Sequence, residues 1–209
     1  MIQILLLLSF VYAKECTPGV FGASTPTESM LSLHGDPDYI NIGKFPNIIV
    51  EMKYATTDNF TKQNVYGRFK EAFLHKEAAA MLKKASATLA KEKPGWKIKV
   101  FDALRPRSAQ RCLWHQVVGT EQEQYVANPD TGSIHNYGFA LDMTLVDENG
   151  KDVPMGTPYD SFEKKSQPQL EQSFLRSGQL TKEDIANRDL LRRVMEQGGG
   201  FQQMPNEWW

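Results

Sequence analysis

The stretch AFLHKEAAAMLKKASATLAK, from Ala72 to Lys91, is followed four residues later by WKIKVF, from Trp96 to Phe101. Apolar side chains recur at helical spacing in the first stretch, and Pro94-Gly95 ends the pattern, so the sequence predicts an amphipathic helix there. Apolar and polar residues alternate in the second stretch, which predicts a half-buried β-strand. A long helix running directly into a strand indicates a mixed α and β fold.

The remaining elements extend this pattern in both directions. A capping box formed by Thr181 and Asp184 predicts a helix that ends at Gly198–Gly200. The order of elements indicates an α+β class: one domain, with helices packed around an antiparallel central sheet whose C-terminal strand is truncated. The other expected elements are a strand at Ile48–Met52, a helix from Arg105-Pro106 to about Val118, a strand at Phe139–Val146 with a short return near Val153, and a last strand beginning at Phe201.

Composition and charge exclude several classes of protein. The 209 residues carry 24 Lys and Arg against 25 Asp and Glu, a formal net charge of -1. Such a balance gives no electrostatic reason to bind nucleic acid. A chain of this length buries enough surface to stabilise its own core.

The N-terminus resembles an export signal. Ile4–Val11 is an apolar run too short to span a bilayer, and it is followed by Tyr12-Ala13. We expect a signal peptide at residues 1–13, an extended lead-in at 14–34 and a folded domain at 35–209, in a protein that is periplasmic or secreted. A buried first strand or helix is the alternative reading of the apolar run.

The chain has two cysteines, Cys16 and Cys112. In an oxidising compartment they could pair and close a loop of about 96 residues, which would stabilise the fold by about 4 to 5 kcal/mol. Two unpaired thiols are the alternative, and the sequence does not choose between them.

One histidine lies in a setting that suggests metal binding. In SIHNYGFALD, residues 133–142, His135 precedes Asp142 by seven positions, which offers one nitrogen and one oxygen ligand for zinc. Both side chains can face one ion only if the chain turns between them, and Gly138 allows such a turn. Alone, the pair is more simply explained as a surface histidine and an aspartate at a strand end.

This segment resembles the S-x-H-x-x-G-x-A-x-D zinc signature of the D-alanyl-D-alanine dipeptidases, the VanX-like branch of the M15 metallopeptidases. Further blocks are similar to the family in the same order, from about residue 35 to the end of the chain. They are YATTDNF at 54–60, FDALRPR at 101–107, VPMGTPYD at 153–160, NRDLLRRVM at 187–195, and Gly200-Phe201 followed by Glu207-Trp208-Trp209.

The resemblance implies a function and a set of site residues. It implies hydrolysis of D-alanyl-D-alanine at a single zinc ion, with His135 and Asp142 as two of its ligands. Glu207 would be the general base, and Arg105 would stabilise the negative charge on the attacked carbonyl. Three further positions would line the dipeptide pocket: Tyr54, Ser133 and Asp160, the last holding the free amino group of the substrate.

In the family a third ligand, a histidine, stands three residues after the base, and here the sequence ends at Trp209, one position before it. We expect either a fragment or a naturally truncated chain, and the loss of this ligand alone favours the fragment. None of His34, His75 and His115 lies in a family ligand block, although the helical spacing of Cys112 and His115 imitates a ligand pair.

Two alternative functions stay open. A related M15 carboxypeptidase or L,D-peptidase would act on longer wall peptides, whereas an acid at Asp160 disfavours such extended substrates. A metal-deficient pseudoenzyme or binding module is the second alternative, because two protein ligands hold zinc weakly. The expected partner is a small dipeptide, and a His/Asp/His set would also accept other divalent ions.

Overall fold

A computed structural model describes residues 30–209. The expected signal peptide and residues 14–29 of the lead-in lie outside the described residues. At the end of the lead-in, Ser32–Gly35 forms a 3-10 helix whose Leu33 is buried in the core. Cys112 is buried and is not a free thiol, whereas Cys16 lies outside the described residues. Within the described part of the chain, no helix is long and apolar enough to cross a membrane.

The α+β class is confirmed. The structure contains short strands, longer helices and several 3-10 turns. The strands are β1 Tyr39–Asn41, β2 Ile48–Val50, β3 Phe73–His75, β4 Lys97–Asp102 and β5 Asp142–Val146, and the α-helices are α1 Lys76–Glu92, α2 Arg107–Val117, α3 Glu171–Arg176 and α4 Lys182–Arg193.

The strands form two small sheets. Strands β1 and β3 pair antiparallel, and a separate sheet has the order β2-β4-β5. Strand β4 pairs antiparallel with β5, as expected, but it pairs parallel with β2. This sheet is therefore mixed. Strand β4 lies at its centre, and its end at Asp102 faces Asp142 across the β4–β5 pair.

The helix predicted from Ala72 begins later, at Lys76. Residues Phe73–His75 form β3 instead, because they pair with β1 and the backbone N–H of Ile42 donates to the Ala72 carbonyl at 3.0 Å. The side chain of His75 then caps α1 by accepting from Glu77 N. The prediction of a first helical turn at Phe73–His75 was wrong, because the strand that pairs with these residues lies some 30 residues earlier in the sequence.

Three strand predictions also change. Strand β5 begins at Asp142 and not at Phe139, because Phe139–Leu141 follow the turn without pairing to another strand. The return strand near Val153 is reduced to one bridge between Val146 and Asp152. No strand forms at residues 201–209; in this segment the Trp209 carbonyl accepts one backbone hydrogen bond from Met143 N at 3.2 Å.

The capping box on α4 is confirmed, with reciprocal bonds between Thr181 and Asp184. The helix continues as a π-helical turn, Val194–Gly199, and ends at Gly200 with φ +87°. A Cβ at Gly198 would lie 2.8 Å from the Thr88 hydroxyl of α1. Gly198 therefore lets the π-helical turn approach α1 closely.

Gly138 ends the turn that precedes β5. It has φ +72°, and its carbonyl accepts from His75 N at 3.0 Å. A Cβ at this position would lie 2.7 Å from the same backbone nitrogen, which cannot move without disturbing β3. The turn therefore depends on glycine both for its conformation and for its contact with β3.

We expect Gly138→Ala to lower the free energy of unfolding by about 2 to 4 kcal/mol, because backbone strain adds to a steric clash. Gly150→Ala is the matched control: its φ is +83°, but nothing lies within 4 Å of the added Cβ. The control should lose only about 1 kcal/mol. Urea denaturation measures both, and equal losses would show that the contact with His75 is unimportant.

Candidate active site

The turn carrying His135 is shaped by its own side chains. Ser133 caps the 3-10 turn Ile134–Tyr137: its hydroxyl accepts from His135 N at 3.3 Å, and Asn136 accepts from Ser133 N at 2.8 Å. Asn136 also donates to the carbonyl of Arg105 at 2.9 Å, and Arg105 N donates to the His135 carbonyl at 3.0 Å. The turn is thereby fixed to the end of β4, and the turn expected at Gly138 is present.

The His135 ring presents one nitrogen to Asp142. Its Nδ1 lies 2.8 Å from the Ala103 carbonyl, which can only accept, so Nδ1 carries a proton. Nε2 lies 3.5 Å from Asp142 Oδ1, and Asp142 raises the pKa of His135 above its usual value despite burial. When the proton on Nε2 is released, this nitrogen offers its lone pair on the side of Asp142. This is the orientation of a metal-binding histidine, whose other nitrogen is held by a backbone carbonyl.

The second oxygen of Asp142, Oδ2, contacts Tyr159 and Arg105. Tyr159 donates its hydroxyl to Oδ2 at 3.1 Å, and the Arg105 guanidinium lies 3.6 Å from the same atom. Burial favours the neutral acid, but His135 and Arg105 outweigh burial, so the pKa of Asp142 lies below its usual range. Asp142 is therefore ionised and positioned as an oxygen ligand.

Arg105 is fixed by a buried carboxylate, Asp102. Its Nε and Nη2 donate to Asp102 Oδ2 at 2.8 and 2.7 Å, and its Nη1 donates to Gln110 at 2.9 Å. The other oxygen of Asp102 accepts the Tyr66 hydroxyl at 2.7 Å. Asp102 and Gln110 are completely buried. The guanidinium fork is thus held in one orientation by core side chains.

Asp102, His135 and Asp142 each offer an atom within 4.8 Å of the others, a group that could hold a metal ion. Both oxygens of Asp102, however, already accept from Arg105 and Tyr66. The atoms left for an ion are His135 Nε2 and Asp142 Oδ1. A tetrahedral ion at 2.0 to 2.1 Å from each would separate them by about 3.3 Å, close to the distance observed. The donors therefore fit a divalent metal.

Asp160 lies at another side of the site. Its carboxylate accepts from the Tyr54 hydroxyl at 3.2 Å and from Phe60 N at 3.4 Å, and its backbone has φ +57°. Burial, reinforced by the charge of Asp142, raises its pKa to about 7. Burial also raises the pKa of Tyr54 well above its usual value, so this hydroxyl stays a donor.

Glu207 lines the same cavity as Asp142 and Asp160. Burial raises its pKa to about 8, and the charges of Asp142 and Asp160 act in the same direction. Its neighbour Trp208 is buried and donates its indole N–H to Thr157 at 2.7 Å. Glu207 is thus held close to two other carboxylates, where it retains a proton more readily than an exposed glutamate.

The structure brings all of the predicted site residues to one cavity of about 540 Å³. The lining also includes apolar side chains and the C-terminal tryptophans. The predicted residues that line it are Tyr54, Arg105, Ser133, His135, Asp142, Asp160 and Glu207.

The sequence did not reveal the residues that hold this set. Asp102 stands in FDALRPR, three positions before Arg105, and Tyr159 directly precedes Asp160. Both residues lie inside sequence blocks that resemble the family, but their roles depend on contacts across the fold. His34, His75 and His115 do not line the cavity; His75 stacks on Phe139 with ring centroids 4.6 Å apart.

A paired His and Asp, a fixed arginine and a half-buried glutamate around one cavity define a metal-dependent hydrolase site. Residues 39–209 match the model of the peptidase M15 family, described as D-ala-D-ala dipeptidase. The chain belongs to this family and is a metallopeptidase.

Curated relatives agree with the family match. The chain is 35% identical to a D-alanyl-D-alanine dipeptidase of Escherichia coli (strain K12) over 79% of this chain and 78% of that protein. A dipeptidase of the same name from Synechocystis sp. is 32% identical over 61% of this chain and 64% of that protein. One from Enterococcus faecium is 30% identical over 76% and 82%, respectively.

We expect Asp102→Asn to lower the free energy of unfolding by about 3 kcal/mol, because it leaves the buried Arg105 charge without its counter-ion. Asp38→Asn is the control, since Asp38 pairs with Lys76 on the surface, and it should leave stability unchanged. Chemical denaturation of both variants is the measurement. An Asp102→Asn variant as stable as the parent would show that the pair does not hold Arg105.

Proposed function

We propose that this protein hydrolyses D-alanyl-D-alanine to two molecules of D-alanine and uses one zinc ion. The observation that carries the proposal is the convergence of His135, Asp142, Arg105, Asp160 and Glu207 on one cavity. Family membership supports the reaction class, and the names of the relatives support the substrate.

His135 Nε2 and Asp142 Oδ1 would hold the metal ion. When bound, the ion supplies a Lewis acid and lowers the pKa of water. The expected third ligand would follow Trp209, whose carbonyl accepts from Met143 N, the residue after Asp142. Trp209 therefore lies next to β5, the strand that begins with Asp142.

Glu207 and Arg105 would carry out the protein's part of the reaction. A cation beside Asp142 would offset the negative charge that helps to raise the pKa of Glu207, which leaves the carboxylate ionised. The Glu207 carboxylate would then take a proton from the attacking water and deliver it to the amino group of the departing D-alanine. Of the five N–H bonds of the Arg105 guanidinium, three donate to Asp102 and Gln110. The remaining two are available to the oxyanion that develops on the carbonyl.

Asp160 would select substrates with a free amino group. Its carboxylate is half-buried and is held by Tyr54 and Phe60, so it can pair with an ammonium group inside the cavity. A longer wall peptide carries an amide at that position and would leave the carboxylate unpaired. This favours a dipeptidase over an M15 carboxypeptidase.

Export is part of the proposal. The apolar run Ile4–Val11 supports a signal peptide, and a protein outside the cytoplasm would act on dipeptide released from the cell wall. Fractionation of cells that express the full chain tests this point: cleavage and export are expected, and an uncleaved cytoplasmic product would contradict it.

The metal content of the chain tests the ligand assignment. We expect the chain lacking residues 1–13 to bind zinc weakly, and a version extended by one His after Trp209 to hold about one zinc and to hydrolyse D-Ala-D-Ala. Elemental analysis and a D-alanine release assay measure both. His135→Ala in the extended version is the control and should lose the metal.

The possible outcomes separate the candidate functions. A short form that is already loaded and active would show that the assigned ligand set is wrong. Failure of both forms to bind metal, while circular dichroism shows that they are folded, would favour the pseudoenzyme.

Asp160→Asn should relax selection for a free amino group. Asparagine keeps the shape and tolerates the positive φ, but it lacks the charge that pairs with an ammonium. We expect the preference for D-Ala-D-Ala over its N-acetyl derivative, as a ratio of kcat/KM, to fall by at least about tenfold. Asp130→Ala, which changes an exposed residue outside the cavity lining, should leave the ratio unaltered. An unchanged ratio in Asp160→Asn would favour the carboxypeptidase.

A further inference from the structure

Glu207 lies on residues 201–209, a segment with neither helix nor strand. The backbone of this segment is attached at its two ends. Phe201 N donates to the Met195 carbonyl at 3.1 Å, and the Trp209 carbonyl accepts from Met143 N at 3.2 Å. Because few backbone hydrogen bonds hold this segment, the position of Glu207 depends on side-chain contacts. These contacts come from other elements and from the segment itself.

Gln203, which itself lines the cavity, binds the backbone of this segment near Glu207. Its side-chain nitrogen donates to the carbonyl of Glu207 at 3.3 Å and to that of Trp208 at 3.2 Å. A carboxamide has two N–H bonds, one for each carbonyl. One side chain therefore holds two consecutive peptide units, including the one that carries Glu207.

The orientation of the Gln203 amide is set by Arg192. Arg192 Nε donates to Gln203 Oε1, and a guanidinium can only donate, so the oxygen faces Arg192 and the nitrogen faces the carbonyls. Arg192 Nη2 in turn donates to both oxygens of Glu171, at 3.2 and 3.1 Å. The amide is thus fixed by α4 and α3.

Glu171 is an anchor within the core. It is 5% exposed, and Arg188 Nη1, from a completely buried side chain on α4, donates to it at 3.2 Å. Arg188 is itself held by the Met155 carbonyl at 2.7 Å. A series of ion pairs and hydrogen bonds therefore connects the packed helices to the backbone of Glu207.

We propose that Gln203 is a positioning residue that fixes the Glu207 carboxyl relative to His135 and Asp142. This inference rests on the proposed function only for the role of Glu207 as general base. A displacement of about 1 Å at a reacting group can cost a hundredfold in rate, so a grip on the peptide unit of Glu207 affects catalysis directly.

Loss of this grip should leave the fold intact. The indole of Trp208 is anchored separately by Thr157 at 2.7 Å, and its ring lies under the guanidinium of Arg188 at 5.7 Å. The segment would therefore stay docked while the peptide units of Glu207 and Trp208 gain freedom. Gln203 thus differs from a residue whose loss unfolds the site.

Gln203→Glu is the sharpest test, because glutamate keeps the shape and the acceptor for Arg192 but removes both N–H donors. Gln172→Glu is the matched control: it makes the same change of charge at an exposed position on α3, next to Glu171. Each variant is made in the 209-residue chain and in the version extended by one His, with Glu207→Gln as a second background.

Hydrogen exchange is the readout that needs no activity. We expect the amide of Met143, which bonds to Trp209, to exchange about tenfold faster in Gln203→Glu and unchanged in Gln172→Glu. Unchanged exchange in both would overturn the proposal, even if the chain hydrolyses no dipeptide and the proposed function fails.

The kinetic readout separates positioning from general stability. In the active form, Gln203→Glu should lower kcat for D-Ala-D-Ala about tenfold, keep KM within about twofold and leave the zinc content unchanged. In the Glu207→Gln background the same change should lower kcat no further. The proposal would be overturned if Gln203→Glu lowered kcat, raised KM and lowered the zinc content together. It would also be overturned if the change lowered kcat by the same factor again in the Glu207→Gln background.

Discussion

The buried pair between Asp102 and Arg105 is the interaction on which the site depends. Asp102 ends the central strand, accepts the guanidinium fork, and is completely buried. The backbone of Arg105 binds the turn of His135 through its N–H and its carbonyl. A single residue thus aims a charge into the cavity and also fixes the histidine. Removal of its counter-ion would disturb both, since a buried cation without a partner is costly.

The cavity lining carries four carboxylates against two arginines, Arg105 and Arg192, and both arginines are paired with carboxylates outside the lining. Asp142, Asp160 and Glu207 converge there, while Arg105 is already paired with Asp102. Burial, reinforced by this imbalance, raises the pKa values of Asp160 and Glu207 to about 7 and about 8. A divalent cation beside Asp142 and an ammonium group beside Asp160 would each offset it. The electrostatics therefore favour two positively charged occupants at separate places in the same cavity.

Local sequence signals predicted local structure well. The helix α1, the strand β4 and the capping box of α4 follow from periodicity and capping, which act within a few residues. Phe73–His75 was misassigned because its strand partner is remote, and the parallel pairing of β2 with β4 carries no local signature. The site residues came from motif resemblance, but the residues that orient them, such as Asp102, are defined only by tertiary contacts.

The structure holds one half of the site more rigidly than the other. Arg105 and Asp142 stand at or beside the ends of paired strands, and His135 is held by a capped turn, so packing and backbone bonds fix this half. Glu207 lies in a segment without regular structure and is held through the Gln203 side chain. Such a segment opens more easily than a strand, because fewer bonds must break. Glu207 is therefore the part of the site whose geometry can change without a change of fold.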